Sequence, residues 1–150
     1  KLYNFETNQI EEQTNDFFQF SYRTAKNLDN KMILSVDLNV EEGDPQKIQK
    51  QISDNLIRRK TSQPPAIYNA GSVFKNPQEG SAGFFIEKAG LKGYSIDGVG
   101  VSEKHANFFV AKRGTKAQSL FELVKYVKAE VFNKFDISLE EEIIFAGNFY

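Results

Sequence analysis

The stretch 69–77 carries the densest set of side chains that could do chemistry, Asn-Ala-Gly-Ser-Val-Phe-Lys-Asn-Pro. Gly71 allows the backbone to turn sharply or to approach a ligand closely. Ser72 can give or accept a proton, and Lys75 and Asn76 can hold an anion or a polar group. On local chemistry alone, a short strand that begins at the glycine and stops at Asn-Pro explains the stretch equally well.

A second polar stretch, 102–107, contains His105, the only histidine of the chain, and the chain has no cysteine. A histidine-rich metal site and a serine-histidine pair with a spare histidine are therefore poor candidates. Without cysteine, disulfides, thiolate nucleophiles and cysteine metal sites are excluded, and nothing indicates secretion. We expect no metal cofactor.

Composition limits the partners. The 150 residues fit one ordinary domain or two small lobes, and 40% of them are hydrophobic, with 14 Phe and no Trp. The formal net charge of -1 gives no electrostatic footprint for nucleic acid or an anionic membrane. No apolar run approaches the roughly 20 residues of a membrane span. Residues 1–6 lack the apolar region of a signal peptide, so none is expected there.

The first part of the chain predicts two strands and a helix. Apolar and polar residues alternate over 17–22 and again over 34–40, which is typical of half-buried strands. Asp44-Pro45 is a helix start, followed by the apolar stripe Ile48, Ile52 and Leu56. Pro64-Pro65 then breaks the helix and marks a candidate lobe boundary.

The second part predicts interspersed elements without a regular βαβ rhythm. Its predicted elements are a short helix over 84–89, a glycine-rich loop and short strand over 90–101, a strand over 108–111, a Thr115–Gln118 capping box, a long helix over 120–135 and a closing strand over 137–145. The glycine spacing is not a dinucleotide fingerprint. We therefore predict an α+β fold with antiparallel sheet.

Six motifs occur in order through nearly the whole chain, and together they resemble the UDP-N-acetylenolpyruvoylglucosamine reductase (MurB) family. The motifs are Phe20-Ser21-Tyr22-Arg23, Gln63-Pro64, Gly71 to Pro77, Ala89 to Gly93, Val101 to Phe108 and Leu139 to Ile143. The match is to the C-terminal half of the family, of the type that lacks a substrate-covering tyrosine loop. The resemblance implies that the N-terminal flavin-binding half is missing here, so the chain alone is an incomplete enzyme.

The resemblance also implies a domain organisation and an activity. Residues 1–61 would belong to the flavin-binding lobe, 62–136 would form the substrate-binding lobe, and 137–150 would return as a closing strand. The implied enzyme is a cytoplasmic oxidoreductase that uses FAD and NADPH to reduce UDP-N-acetylglucosamine enolpyruvate to UDP-N-acetylmuramate. This reaction serves peptidoglycan synthesis, cell wall biogenesis, cell shape and cell division.

By family position, three residues are catalytic. Arg23 would hold the substrate carboxylate with its planar fork, Glu142 would donate a hydrogen bond to the developing charge, and Ser72 would protonate C2. Two of the three have a simpler explanation as well. Arg23 could form a surface ion pair, and Glu142 ends a run of three glutamates that could be solvated.

Four further residues are implied to bind ligands. Lys75, Asn76 and His105 would contact the substrate, and Arg59 would contact the flavin's tail. A lone histidine is more often structural, and Arg59 could simply stabilise a helix end. The chain departs from the family pattern at three positions and in one segment: Ala25, Ser62, Asp97 and 111–115. The alternative function is a non-catalytic UDP-sugar-binding or interaction module that keeps the fold.

Overall fold

The computed structural model describes residues 1–149, and two compact units divide them, Lys1–Asp44 and Pro45 onward. The first unit holds a three-stranded antiparallel sheet. Its strands are β1 (Leu2–Asn4), β2 (Gln9–Glu11) and β3 (Lys31–Ile33), in the order β2-β1-β3. The Asn4 carboxamide accepts the backbone N–H of Glu6 at 2.9 Å and donates to the Glu11 carboxylate at 2.7 Å, which secures the turn between β1 and β2.

The strand predicted over 17–22 is wrong. Asn15–Phe18 forms a 3-10 turn that ends at Gln19 in the left-handed region, with φ of 42°. Ser21 and Thr24 then close a tight turn through two backbone hydrogen bonds, of 2.9 and 3.1 Å. The Phe18 and Phe20 rings, two residues apart in the sequence, stack on each other with centroids 5.2 Å apart.

The strand predicted over 34–40 is also wrong. The pairing with β1 ends at Leu34 and Ser35, which are hydrogen-bonded to Lys1, and no regular element follows before residue 45. Val36, Leu38 and Val40 are 66%, 78% and 88% exposed. Alternation therefore does not produce a strand where neither a paired strand nor an apolar surface covers it.

The second unit contains three α-helices and a second antiparallel sheet. Its elements are α1 (Pro45–Ser62), α2 (Ala82–Lys88), β4 (Ser95–Ile96), β5 (Val99–Val101), β6 (Phe109–Ala111) and α3 (Ala117–Phe135), with strand order β4-β5-β6. The predicted antiparallel α+β class is confirmed. None of the three helices has both the length and the hydropathy of a bilayer span, within residues 1–149.

The core of the second unit lies between α2, α3 and the sheet. The apolar face predicted for α3 is largely confirmed, since Leu123, Val124, Val127 and Val131 are all 1% exposed or less. The apolar stripe predicted on α1 is not buried: no residue of that helix is buried, and Leu56 is 61% exposed. The helix start at Pro45 is as predicted.

Two further predictions, the capping box before α3 and the closing strand, are wrong. Thr115 does not cap α3; its hydroxyl donates to the Gly98 carbonyl at 3.1 Å, and Lys116 takes the cap position without a side-chain hydrogen bond. The segment 137–145 forms no regular strand. It makes a single bridge, Glu141 to Phe74, before the chain bends away.

Ser81 caps α2, a feature that the capping preference of serine explains. Its hydroxyl oxygen accepts the Phe84 N–H at 3.1 Å. We expect Ser81→Ala to lower the free energy of unfolding by about 1 kcal/mol, because one N–H of the first turn loses its acceptor. Chemical denaturation measures the change. Ser81→Asn is the control, since asparagine also caps; an equal loss in both variants would contradict this account.

Candidate functional site

The stretch predicted from the sequence crosses the second unit as an extended segment held from two sides. Ser72 pairs with Phe108 in one isolated antiparallel bridge, and Phe74 pairs with Glu141 in another. The Val73 N–H donates to the Asn107 carbonyl at 2.8 Å. Residues 72–76 thus lie between the loop that precedes β6 and the segment after α3, and both neighbours bring polar side chains to it.

Burial differs along this segment: its middle residues are buried, and the serine at its start is partly accessible. Val73 and Phe74 are 2% and 1% exposed and belong to the core, whereas Ser72 is half-buried. Within residues 1–149, the Ser72 hydroxyl has no hydrogen-bond partner, and it is not enclosed. A hydroxyl in this state can donate to a bound molecule.

The segment begins with the turn that the glycine predicted. Gly71 has φ of +82°, and its N–H donates to the Asn69 side-chain oxygen at 3.0 Å. A non-glycine residue would be strained in this conformation. The glycine therefore turns the chain just before Ser72, where residues 72–76 begin. We call residues 72–76 the crossing segment.

Lys75 and Asn76 both have structural partners. The Lys75 ammonium forms an ion pair with the Glu140 carboxylate. The Asn76 side-chain oxygen accepts the Ala82 N–H at 3.0 Å and so fastens the first residue of α2. Their roles in substrate binding remain predictions.

The three consecutive glutamates 140–142 make different contacts. Glu140 pairs with Lys75, and the Glu141 carboxylate binds the Lys128 ammonium through both oxygens, at 2.8 and 2.7 Å. The Glu142 N–H donates to the Val73 carbonyl at 2.8 Å. Two of the three charges are therefore engaged by lysines, and the backbone of Glu142 pairs with the residue next to Ser72.

His105 lies in the loop before β6, and its ring is held on several sides. Nδ1 accepts the Asn107 N–H at 3.2 Å, and the Phe108 ring meets the imidazole edge-on, with centroids 4.9 Å apart. Burial, and then the nearby Lys92 ammonium, hold the pKa of His105 below its usual value of 6.5. Lys92 itself pairs with Glu87 at 2.9 Å.

We expect an NMR titration of His105 to give a midpoint below 6.5 in the folded protein. The unfolded state then binds more protons, so the stability that neutral His105 contributes is present above pH 6.5 and is lost as the pH falls toward the folded midpoint. Lys92→Met should raise the midpoint without restoring it fully, because burial is the larger cause. A wild-type midpoint at or above 6.5 would show that the imidazole is not held as described.

The two candidate arginines lie in different surroundings. Arg23 belongs to the first unit, where it occupies the Ser21–Thr24 turn with φ of 55° and its guanidinium lies 5.7 Å from the Tyr22 ring centroid. Arg59 belongs to the last turn of α1 and is exposed. Ser72, Glu142 and His105 thus belong to the second unit, and Arg23 belongs to the first.

Cations gather where α1 ends. The Lys104 ammonium donates to the Lys60 carbonyl at 3.4 Å, and so connects the loop that carries His105 to the last turn of α1. Arg59 and Lys60 are the basic residues of that turn. Sequence reasoning did not single out Lys104. A lysine next to the histidine was the only signal, and it does not predict which helix end the side chain reaches.

A cavity of about 370 Å³ lies next to Val73. Val73, Val99, Phe109 and Leu120 contribute its apolar lining, and Lys112 is among its polar residues. None of the site residues predicted from the sequence lines it. In residues 1–149, no three histidine or acidic side chains are grouped so that they could hold a metal ion.

With this geometry established, comparison with known proteins identifies the fold. A family model described as the UDP-N-acetylenolpyruvoylglucosamine reductase C-terminal domain matches residues 63–146. In structure, the chain is similar to the UDP-N-acetylenolpyruvylglucosamine reductase (MurB) of Thermus caldophilus, with a TM-score of 0.74 and 30% identity over 85% of this chain and 45% of that one. Residues 63–146, which lie within the second unit, therefore match a reductase C-terminal domain. The chain belongs to the UDP-N-acetylenolpyruvoylglucosamine reductase family.

Two curated relatives show how much of the family's length is represented. The UDP-N-acetylenolpyruvoylglucosamine reductase of Bacillus subtilis is 40% identical over 148 residues, which are 96% of this chain and 48% of the relative. A shorter one from Bacillus licheniformis is 36% identical over 145 residues, 95% of this chain and 79% of the relative. The chain spans about half the length of the relatives from Bacillus subtilis, Anoxybacillus flavithermus and Bacillus velezensis. The predicted resemblance to the C-terminal part of this family is confirmed.

Proposed function

We propose that this chain is the C-terminal portion of a cytoplasmic flavoenzyme that reduces UDP-N-acetylglucosamine enolpyruvate to UDP-N-acetylmuramate, with FAD as cofactor and NADPH as reductant. The observation that carries the proposal is the Ser72 hydroxyl, which is accessible and has no hydrogen-bond partner among residues 1–149, on a segment fixed from both sides. A proton donor needs this combination of a fixed backbone and a free polar group. The product is a precursor of peptidoglycan, and so of the cell wall, cell shape and division.

Ser72 acts at one carbon of the substrate. Hydride addition at C3 of the enolpyruvyl group is the chemistry that the bound flavin supplies. Negative charge then develops toward the substrate carboxylate, and C2 becomes a strong base. Ser72 gives its proton to C2, and the alkoxide is reprotonated from water. The weak acidity of a serine hydroxyl suffices because the acceptor is carbanion-like.

Arg23 and Glu142 act at the carboxylate end. Arg23 binds two carboxylate oxygens at once and offsets the developing charge. Glu142, when protonated, donates a further hydrogen bond to that charge. The hydrogen bond from the Glu142 N–H to the Val73 carbonyl, at 2.8 Å, supports this role, because it ties the glutamate to the residue next to the proton donor.

The basic end of α1 and the histidine loop act at the nucleotide end. Lys60 and Lys104 supply positive charge near His105, which suits a pyrophosphate. This proposal also accounts for Ser62, where the family has lysine, since Lys104 reaches the same helix end. Asn76 and Lys75 would contact the sugar from the crossing segment.

The flavin would be held mainly by a portion of the protein outside this chain. Arg59 fits a contact with the anionic tail of FAD, because it is exposed and forms no ion pair with an acidic side chain in residues 1–149. Arg59→Ala would then weaken FAD retention and leave the fold intact.

A turnover assay on the complete protein as its source produces it tests the proposal. NADPH oxidation should require UDP-N-acetylglucosamine enolpyruvate, and mass spectrometry should find a product that has gained two hydrogens. UDP-N-acetylglucosamine is the control ligand, because it lacks the double bond. Binding of both ligands without NADPH oxidation would instead support the second candidate, a non-catalytic UDP-sugar-binding module.

A further inference from the structure

Asn107 is a buried polar residue, 4% exposed, in the loop between β5 and β6. Its side-chain oxygen accepts the Phe74 N–H at 2.9 Å, and its side-chain nitrogen donates to the Phe74 carbonyl at 2.8 Å. The carboxamide thus forms both hydrogen bonds that a neighbouring strand residue would form. Together with its own carbonyl, which accepts the Val73 N–H at 2.8 Å, Asn107 fixes the two residues that follow Ser72.

The same residue also fixes His105. The Asn107 backbone N–H donates to Nδ1 of the imidazole at 3.2 Å. A ring nitrogen that accepts a hydrogen bond carries no proton, so neutral His105 has its proton on Nε2 and presents that N–H as a donor. On the ring's Cε1 side lies Gly83, where an added Cβ would be only 3.3 Å away.

We propose that Asn107 is a positioning residue: it fixes the Ser72 hydroxyl and the His105 Nε2–H relative to each other, so that both donate hydrogen bonds to one bound substrate. The proposal rests on the reductase function proposed above. Residues 105–108 contact the crossing segment and the imidazole together, through the Asn107 hydrogen bonds and the pairing of Ser72 with Phe108. Loosening this loop displaces both donors, whereas a merely structural asparagine would affect stability alone.

Two substitutions separate hydrogen bonding from volume. Asn107→Leu keeps the approximate size and removes both side-chain hydrogen bonds. Asn107→Asp keeps the acceptor for the Phe74 N–H, but its ionised form faces the Phe74 carbonyl without a donor. The protonated carboxyl regains an O–H donor, and burial raises the pKa of such a carboxyl. The aspartate variant should therefore recover as the pH falls, and the leucine variant should not.

The first readout is kinetic, on the complete flavin-loaded protein. Substrate-driven reoxidation of the reduced flavin should slow by at least about 10-fold in both variants at neutral pH, since small misplacements of a reacting group have effects of this order. Reduction of the flavin by NADPH should be unchanged. His105 titrates over the same pH range, with Lys92 and Glu87 facing it, so each variant rate is divided by the wild-type rate at the same pH.

The second readout is independent of turnover. Imidazole ¹⁵N chemical shifts should show the Nε2–H tautomer in the wild type and a mixture in Asn107→Leu, the signal being assigned by its loss in His105→Gln. Gly83→Ala is a further variant, which leaves the Asn107 side chain in place. Its Cβ crowds the imidazole, so it should produce the mixed tautomer with little effect on reoxidation at saturating substrate.

Equal aspartate and leucine rates at every pH, or wild-type reoxidation rates in a folded Asn107→Leu, would overturn the proposal. So would an Nδ1–H tautomer in the wild type. If neither Asn107 variant folds, an Nδ1–H tautomer in the wild type would still overturn the proposal, because it is incompatible with the hydrogen bond from the Asn107 N–H. If the wild type shows no substrate-driven reoxidation, the proposed reductase function is wrong. The tautomer measurements then test the positioning of His105 separately.

Discussion

Replacing Ser72 by alanine is expected to leave the reduction of flavin by NADPH intact and to slow reduction of the substrate by about 10²- to 10⁴-fold. The reason is that, in the proposed mechanism, the hydroxyl acts only after hydride has reached the substrate, when C2 takes up a proton. The alanine side chain fits the same half-buried position, so the fold should be preserved. Anaerobic stopped-flow absorbance resolves the two half-reactions.

The control for this variant is Ser95→Ala, which removes an exposed hydroxyl from β4. It should change neither half-reaction. Equal slowing of both half-reactions in Ser72→Ala would contradict the proposed role, because a proton donor to C2 has no part in flavin reduction.

Replacing Phe74 by alanine is expected to lower the free energy of unfolding by about 3–5 kcal/mol, the usual cost of emptying a fully buried aromatic site. Phe74 is 1% exposed, and its ring meets that of Phe109 edge-on, with centroids 5.9 Å apart. Its backbone is held by Asn107 on one side, and Glu141 is its bridge partner on the other. The surroundings therefore have little freedom to close the cavity. Urea denaturation measures the loss.

Phe84→Ala is the matched control, since Phe84 lies on α2 and is 53% exposed. The same chemical change there should lower the unfolding free energy by less than about 1 kcal/mol. Similar losses in the two variants would mean that Phe74 is not a core residue and that the crossing segment is not anchored as described.

The crossing segment shows what the sequence can predict. The glycine turn follows from residue type, and the family resemblance implies a specific reaction for Ser72, whereas the lack of a hydrogen-bond partner for its hydroxyl within residues 1–149 is known only from the structure. Local chemistry does not separate this stretch from an ordinary strand. That distinction needs the partners of residues 72–76, which lie more than 30 residues away at Asn107 and Glu141 and have no local signal.

The helices were more predictable than the strands. The buried face of α3 follows from apolar spacing because a helix makes its backbone hydrogen bonds within itself. The alternation over 34–40 is equally clear, yet a strand depends on a partner that the local sequence does not specify.

Side-chain hydrogen bonds were the least predictable feature. Thr115-Lys116-Ala117-Gln118 has the spacing of a capping box, but the Thr115 hydroxyl finds the Gly98 carbonyl instead. Asn107 is similar: its residue type predicts a turn or cap, whereas its carboxamide replaces a strand neighbour for Phe74. Both choices depend on which backbone groups the tertiary fold leaves unpaired.

The most direct test of the reductase account is one anaerobic absorbance titration of the complete wild-type protein. The account predicts that the purified protein carries a flavin, that NADPH bleaches its absorbance, and that UDP-N-acetylglucosamine enolpyruvate restores it while UDP-N-acetylglucosamine does not. A protein without flavin, or a reduced flavin that the enolpyruvyl substrate leaves bleached, would contradict the account.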